Sequence, residues 1–181
     1  MPMSLQASMT ALKESRDVRP SIPQSRVRLE DIEVLVERDL EWLESEARRV
    51  VSDGVAPATE AAAHLVEKGG KRVRPMLVLL SAACFGGIQE GTRPMALAVE
   101  LLHSATLLHD DVVDEGTQRR GVATSRLLWG NAMSVLGGDL LLVHALKLTE
   151  EALPSALPEL IGTLRLLVDG EVRQLKGRSD L

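Results

Sequence analysis

Three aspartates close a long apolar segment of the sequence: Asp110, Asp111 and Asp114, in the string HDDVVD at residues 109–114. If the segment is helical, Asp110 and Asp114 lie on the same face, with backbones about 6 Å apart. Carboxylates at that spacing repel each other, and Mg²⁺ in proteins is commonly held by one or two carboxylates together with the phosphates of a substrate. The pattern predicts a magnesium–diphosphate site. From these residues alone, a solvated helix end rich in acids explains the pattern equally well.

A basic string, GGKRVRP at residues 69–75, places three cations at the expected start of a helix. Cations are unfavourable there because the helix dipole is already positive at its N-terminus. A bound anion would satisfy the cations and the unpaired backbone N–H groups together, so the string predicts a phosphate site. A basic turn exposed to water is an equally open alternative.

Two weaker features accompany these strings. Arg119 and Arg120 precede Gly121 just beyond the aspartates, and two guanidinium groups can bind phosphate oxygens in bidentate fashion. His103 lies seven residues before Asp110, so on a helix it faces the same way. Paired arginines on loops are usually only solvated, and a lone helix histidine is more often a core residue, so neither feature is specific by itself.

Apolar residues recur at three- and four-residue steps through most of the chain, which predicts helices. This period is missing from residues 1–26, so we predict a loose N-terminal leader there and a single domain over residues 27–181. No segment alternates with period two for long, and the fold class is all-α. The predicted helices run from Leu29 to a stop at Gly54, then over 57–68, from Pro75 to Gly86, and over 93–114, 131–152 and 159–176.

Composition excludes several classes of function. A net charge of -5 and 2% aromatic residues argue against a nucleic-acid-binding surface. Cys84 is the single cysteine, so no intrachain disulfide forms and a reducing compartment is expected. Apolar runs such as Met76 to Leu80 are far shorter than the roughly 20 residues of a membrane span, and the N-terminus does not resemble a secretory signal. We expect a cytoplasmic protein without a transmembrane segment.

In their order along the chain, these strings resemble the trans-type polyprenyl diphosphate synthase family, in particular long-chain members such as octaprenyl diphosphate synthases. The resemblance covers about residues 65–176 and implies an isoprenoid-synthase-type helical bundle. The matching strings are GGKRVRP, ELLHSATLLHDDVVD at 100–114, RRG at 119–121, WGNAMSVLGGDLLL at 129–142 and GEVRQL at 170–175.

The resemblance implies a prenyltransferase that condenses an allylic diphosphate with isopentenyl diphosphate. Asp110 and Asp114, with Asp111 beside them, would hold Mg²⁺ against the allylic diphosphate, which Arg119 would also contact. Ionisation of the allylic carbon–oxygen bond would then be assisted by the metal, without a protein nucleophile. Gln174 would line the allylic side. The residues implied for the diphosphate of isopentenyl diphosphate are Gly70, Lys71, Arg74, His103 and Arg120.

The same resemblance bears on product length. Ala105 and Thr106 stand where relatives with short products carry bulky aromatic residues. Both side chains are small, and no two-residue insertion occurs within the aspartate string, so an intact enzyme is expected to make long-chain products.

The resemblance also implies features that this sequence lacks. Family members have a second aspartate-rich string on a later helix, and nothing after Gln174 matches it, so the C-terminal helices are expected to be missing. The chain alone is therefore expected to be weakly active or inactive. It would be a fragment, a short protein completed by another chain, or a non-catalytic partner subunit, and family members are expected to form homodimers.

Overall fold

The structure, a computed structural model, describes residues 29–179. The predicted leader over residues 1–26 lies outside the described residues. Before Glu33 the described chain consists only of Leu29–Ile32, the start of the short helix α1 (Leu29–Glu33). All the other described helices and strands belong to the unit that begins at Glu33.

Helices account for most of this unit, which confirms the predicted all-α class. A 3-10 turn at Val34–Val36 leads into the first long helix, and another, Pro154–Ala156, precedes the last one. Two short strands, β1 (Gln118–Arg119) and β2 (Val122–Ala123), pair antiparallel between helices. The helices are α2 (Glu37–Val51), α3 (Ala58–Glu67), α4 (Val73–Cys84), α5 (Thr92–Val113), α6 (Ser125–Ala152) and α7 (Leu157–Ser179).

Helix α5 is central, as its apolar sequence predicted. Its buried positions include Leu97, Leu101, Ala105 and Leu108, whose three- and four-residue steps form a continuous apolar face. Helices α2, α3, α4 and α6 all pack against it. The residues that could do chemistry lie at the C-terminal end of this helix and on the segments around it.

Helix α6 packs closely against α3 and α5. A Cβ at Gly137 would lie 3.0 Å from the carbonyl oxygen of Ala58, so only glycine allows this approach to α3. Buried Ser134 donates a hydrogen bond to the carbonyl of Leu108 on α5. By length and composition alone α6 could also cross a membrane, although no span was predicted. Of its apolar window, 33% is buried, and the helix packs against α3 and α5.

Three local features differ from the sequence-based expectation. The first predicted helix is interrupted by the Val34–Val36 turn, where β-branched residues are crowded in a helix. Helix α6 includes an additional segment from Ser125, and Gly130 leaves the helical region (φ 81°, ψ 165°) and separates that segment from the helix predicted to begin at Asn131. The predicted polar loop after α5 contains the β1–β2 hairpin.

Candidate functional site

The basic string folds as a turn between α3 and α4, and its three cations have different environments. Gly69 has a positive φ of 63°, and Arg72 is left-handed at φ 46° immediately before α4 begins at Val73. Lys71 and Arg74 are exposed, whereas Arg72 is 7% exposed. The string therefore presents two of its cations to solvent and buries the third.

The arginine pair forms the tip of the β1–β2 hairpin. Arg120 and Gly121 are its two turn residues, and both have positive φ values, 52° and 78°. Positive φ at both central residues is what a type I′ hairpin turn requires. The turn holds Arg119 on the strand and Arg120 at the tip, so the two side chains start from fixed backbone positions.

The side chain of Arg120 lies against the C-terminus of α3 and the basic turn. Its Nη1 donates to the carbonyl of Leu65, 3.4 Å away, where the negative end of the helix dipole favours a cation. A Cβ added at Gly70 would lie 3.1 Å from Nη2 and 3.3 Å from Cζ of Arg120. The absence of a side chain at Gly70 therefore makes room for this guanidinium group.

Gly70→Ala is expected to weaken diphosphate binding about three- to tenfold, because the new methyl group shifts the Arg120 guanidinium by a few tenths of an ångström. Gly70 has no positive φ, so the substitution strains no backbone and should not lower the free energy of unfolding. Calorimetric titration with inorganic pyrophosphate measures the first effect. Gly162→Ala on α7, where nothing lies within 4 Å, is the matched control. Equal affinities in the two variants would contradict this role for Gly70.

His103 is half-buried on α5, and the charges around it shift its pKa. Burial lowers the pKa of His103, and the positive charges of Arg74, Arg120 and Arg119 lower it further, opposed by Glu100. The cations that act on His103 thus come from two elements, α4 and the β1–β2 hairpin. Three of these residues were predicted from the sequence to bind the diphosphate of isopentenyl diphosphate, and we call them the cationic pocket: Arg74, His103 and Arg120.

The aspartates at the end of α5 form the acidic part of the site. Burial raises the pKa of Asp110, and the carboxylates of Glu171 and Asp114 raise it further, against the opposing charges of Arg119 and His109. Glu171 lies on α7, in the string GEVRQL, from which only Gln174 was predicted as a site residue. Asp110, Asp114 and Glu171 therefore concentrate negative charge at one place. A bound cation would reduce the repulsion among these carboxylates.

Asp111 has a different environment from its neighbours. Its side chain is 3% exposed, and its Oδ1 accepts a hydrogen bond of 2.7 Å from Nε of Arg119. A Cβ added at Gly116 would lie 3.1 Å from the same carboxylate oxygen. The pair ties the hairpin to the end of α5, and the role of Asp111 as a metal ligand stays a prediction.

The end of α5 is also fixed to α6. Nε2 of His109 lies 3.2 Å from the carbonyl oxygen of Val135 and 3.2 Å from Oδ1 of Asp139. A Cβ at Gly138 would overlap the His109 ring. Because Gly138 has no side chain, the His109 ring can pack against α6. This contact fixes the position of the helical turn that contains Asp110.

The donor chemistry fits a hard divalent cation in part. Asp110 and Asp114 offer carboxylate oxygens one helical turn apart, the ligands that Mg²⁺ prefers. Among the described residues, no three His, Cys, Asp or Glu side chains are arranged to hold a metal ion together. A cation here would thus take its other ligands from a diphosphate and water, as is usual for Mg²⁺.

The remaining predicted residues have varied positions. Gln174 is exposed on α7, Ala105 is 2% exposed in the core of α5, and Thr106 is half-buried with its hydroxyl donating to the carbonyl of His103. Glu171 and Glu100 were not predicted from the sequence. The signal for Glu100 was present, because a carboxylate on the apolar face of a buried helix requires a partner.

A family model described as polyprenyl synthetase matches residues 56–181. The chain belongs to the polyprenyl synthetase family. Among curated relatives it is 40% identical over 142 residues to heptaprenyl diphosphate synthase component 2 of Geobacillus stearothermophilus, covering 77% of this chain and 44% of the relative. It is 35% identical over 153 residues to octaprenyl diphosphate synthase of Escherichia coli (strain K12), covering 84% and 47%. The chain thus spans about half the length of the curated relatives it matches.

Solved structures of the family have the same fold. A polyprenyl synthase from Caulobacter crescentus CB15, complexed with calcium and isoprenyl diphosphate, aligns with a TM-score of 0.78 at 38% identity, over 82% of this chain and 45% of that one. A decaprenyl diphosphate synthase from Rhodobacter capsulatus aligns with a TM-score of 0.77 at 39% identity, over 82% and 46%. The predicted isoprenoid-synthase-type bundle is confirmed for the part of the fold that this chain covers.

Proposed function

We propose that this chain supplies the diphosphate-binding part of a prenyltransferase that joins an allylic diphosphate to isopentenyl diphosphate. One observation carries the proposal: His103, on which the charges of Arg74 and Arg120 act, and Asp110, on which the charge of Asp114 acts, both lie in the C-terminal half of α5. A reaction between two diphosphates needs two anion sites side by side. One of them can be purely cationic, and the other can recruit a metal.

The two parts have separate tasks in this proposal. Lys71, Arg74, His103 and Arg120, with the backbone at Gly70, bind the diphosphate of isopentenyl diphosphate without a metal. Asp110 and Asp114 hold Mg²⁺, with Asp111 beside them, and Arg119 contacts the allylic diphosphate. The metal, when bound, neutralises charge that builds up on the leaving diphosphate. Gln174 on α7 lines the allylic side. The Caulobacter relative, solved with calcium and isoprenyl diphosphate, supports a divalent cation next to such a ligand.

Diphosphate binding should raise the pKa of His103. Without ligand, burial and the charges of Arg74, Arg120 and Arg119 keep this pKa low, so the ring is neutral at pH 7. A bound anion would offset those cations and favour the protonated ring. Among the residues that the structure describes, Glu100 is the acid whose charge raises this pKa, and it already opposes the cations. NMR titration of the ring signals with and without inorganic pyrophosphate measures the change, with His144 on α6 as an internal reference. A pKa that stays the same or falls would contradict a cationic pocket at His103.

For product length, we propose that the intact enzyme makes long-chain products. Ala105 and Thr106 carry small side chains where relatives with short products carry bulky ones, and the octaprenyl and decaprenyl relatives support the idea. A geranylgeranyl diphosphate synthase of Sulfolobus acidocaldarius is also 40% identical over 103 residues, so identity alone does not select a length. Ala105→Phe should shorten the products of an active assembly.

Ala105→Phe should also lower the free energy of unfolding of this chain. Ala105 is 2% exposed in a packed core, and overpacking such a position costs about 1–3 kcal/mol. Thr106→Phe, at a half-buried position, should cost less and is the better variant for product analysis. Urea denaturation of both variants measures the difference. A stability for Ala105→Phe equal to that of the parent would show that open space adjoins Ala105.

For partners, we propose a homodimer or a companion chain that completes the enzyme. Helix α7 exposes apolar side chains, among them Ile161, Val168 and Val172, along one face that a monomer would leave in water. The Geobacillus relative is named as one component of a heptaprenyl diphosphate synthase, which favours an alternative in which this chain is a partner subunit or fragment. In either case we propose a cytoplasmic location, and weak or no turnover by the chain alone.

Calorimetric titration of the purified chain tests the proposed function. Isopentenyl diphosphate should bind with or without Mg²⁺, whereas a non-reactive allylic thiolodiphosphate should bind only with Mg²⁺. If neither diphosphate binds under either condition, the proposed function is wrong. Binding of both without turnover, followed by turnover when a companion chain is added, would identify the partner-subunit alternative.

A further inference from the structure

Arg72 is unlike the other cations of the basic turn. It is 7% exposed, while its neighbours Lys71 and Arg74 face solvent. Its backbone is left-handed, a conformation that costs a non-glycine residue energy and persists only where the surroundings hold it. The contacts of its buried side chain must therefore hold this residue in place.

The guanidinium group of Arg72 connects three helices. Nε donates to Oε1 of Glu44 on α2 at 2.7 Å, and Nη1 donates to Oε1 of Glu100 on α5 at 2.6 Å. Nη2 donates to the carbonyl of Val66 at the end of α3, 3.3 Å away. Each nitrogen of the planar fork has an acceptor, and a lysine could not reproduce these directions.

The partners of Arg72 are close in sequence to residues that form or contact the cationic pocket. Glu100 precedes His103 by one helical turn, and its charge acts on both His103 and Arg120. Val66 follows Leu65, whose carbonyl accepts from Arg120. Arg72 therefore links α3, which accepts the hydrogen bond from Arg120, to α5, which contains His103. It lies in the same basic turn as Lys71 and Arg74.

We propose that Arg72 is a positioning residue: its bonds to Glu44, Glu100 and Val66 hold the basic turn so that Lys71 and Arg74 face the diphosphate of isopentenyl diphosphate. The inference rests on the proposed function of the cationic pocket. Arg72 itself does not touch the ligand, since its fork is directed at the three protein acceptors.

A purely structural role for Arg72 makes the opposite prediction, and a double variant separates the two. Arg72→Met/Glu100→Leu removes both buried charges, a change that is often neutral or stabilising for the fold. In this variant Glu44 loses Arg72 but remains partly exposed to solvent and keeps its ion pair with Arg48, 4.0 Å away. The two substitutions remove one positive and one negative charge, both of which act on Arg120, so the net charge near the pocket is unchanged. If Arg72 served stability alone, isopentenyl diphosphate would therefore bind with about the affinity of the parent. If Arg72 positions the turn, affinity falls at least about tenfold.

The matched control is Arg93→Met/Asp39→Leu. Arg93 donates from Nε to Oδ1 of Asp39 at 2.6 Å and joins the same two helices, α5 and α2, away from the pocket. Thermal unfolding first establishes that both double variants fold. Where the Arg72 double variant does not, Arg72→Lys, which keeps the charge and loses the fork, takes its place.

The expected result is weaker binding of isopentenyl diphosphate in the Arg72 variant alone, with Mg²⁺-dependent binding of the allylic thiolodiphosphate within about twofold of the parent. Three results would overturn the inference: unchanged or tighter binding of isopentenyl diphosphate, an equal loss in the Arg93 control, or an equal loss for both ligands. A parent chain that binds no diphosphate would instead remove the proposed function itself.

Discussion

Asp110→Ala is expected to lower the Mg²⁺-dependent affinity for an allylic thiolodiphosphate by about 100-fold or more, since even residues that only support metal ligands are worth 10- to 100-fold. Asp110 is the half-buried carboxylate on which the charges of Asp114 and Glu171 converge. The substitution removes one of the two carboxylates, a helical turn apart, that form the proposed metal site. Calorimetric titration at a fixed Mg²⁺ concentration measures the loss.

The control is Asp169→Ala, which removes an exposed aspartate on α7 whose partner, Arg165, is also exposed. That variant should bind like the parent. Binding of isopentenyl diphosphate should change little in either variant, because the cationic pocket does not include Asp110. Metal-dependent binding that survives in Asp110→Ala would place the metal elsewhere.

Arg119→Ala is expected to reduce both stability and allylic diphosphate binding. The substitution leaves Asp111 as a buried carboxylate without the bond that Arg119 donates to it. Orphaning a buried charge costs 3–5 kcal/mol, and because Arg119 is itself 30% exposed we expect about 3 kcal/mol here. Urea denaturation measures the change in the free energy of unfolding.

Arg119→Ala/Asp111→Asn, compared with Asp111→Asn alone, separates the two effects of Arg119 from the proposed role of Asp111 beside the metal. With the orphaned charge removed, most of the stability should return, while binding of the allylic thiolodiphosphate should remain weak. If the single variant is as stable as the parent, the Asp111–Arg119 pair contributes nothing to the fold. If the double variant binds like the parent, Arg119 has no part in holding the allylic diphosphate.

The helices of this protein could be predicted from its sequence because their apolar periods are long. Helix α5 was found almost to the residue, from a predicted 93–114 to Thr92–Val113. The predicted start at Asn131 matches the break at Gly130, and only the short helical segment before it, from Ser125, was missed. The β1–β2 hairpin was missed because two-residue strands are too short to show alternation.

The residues of the candidate site could be predicted from the sequence, but the different environment of each residue could not. Three cations in the basic string look alike in sequence, yet only Arg72 is buried. Its guanidinium group forms ion pairs with Glu44 and Glu100, which come from distant parts of the chain. In the same way Asp111 looks like its neighbours, and it is the fold of the hairpin that brings Arg119 to it. Such pairings depend on tertiary contacts, which no local spacing encodes.

A crystal structure of the chain with Mn²⁺ and the allylic thiolodiphosphate, located by anomalous scattering, tests the central claim most directly. We expect the metal to be bound by carboxylate oxygens of Asp110 and Asp114 and to share the diphosphate, with the cationic pocket across from it. A metal held by other side chains, or a diphosphate bound away from both Asp110 and Arg119, would contradict the account.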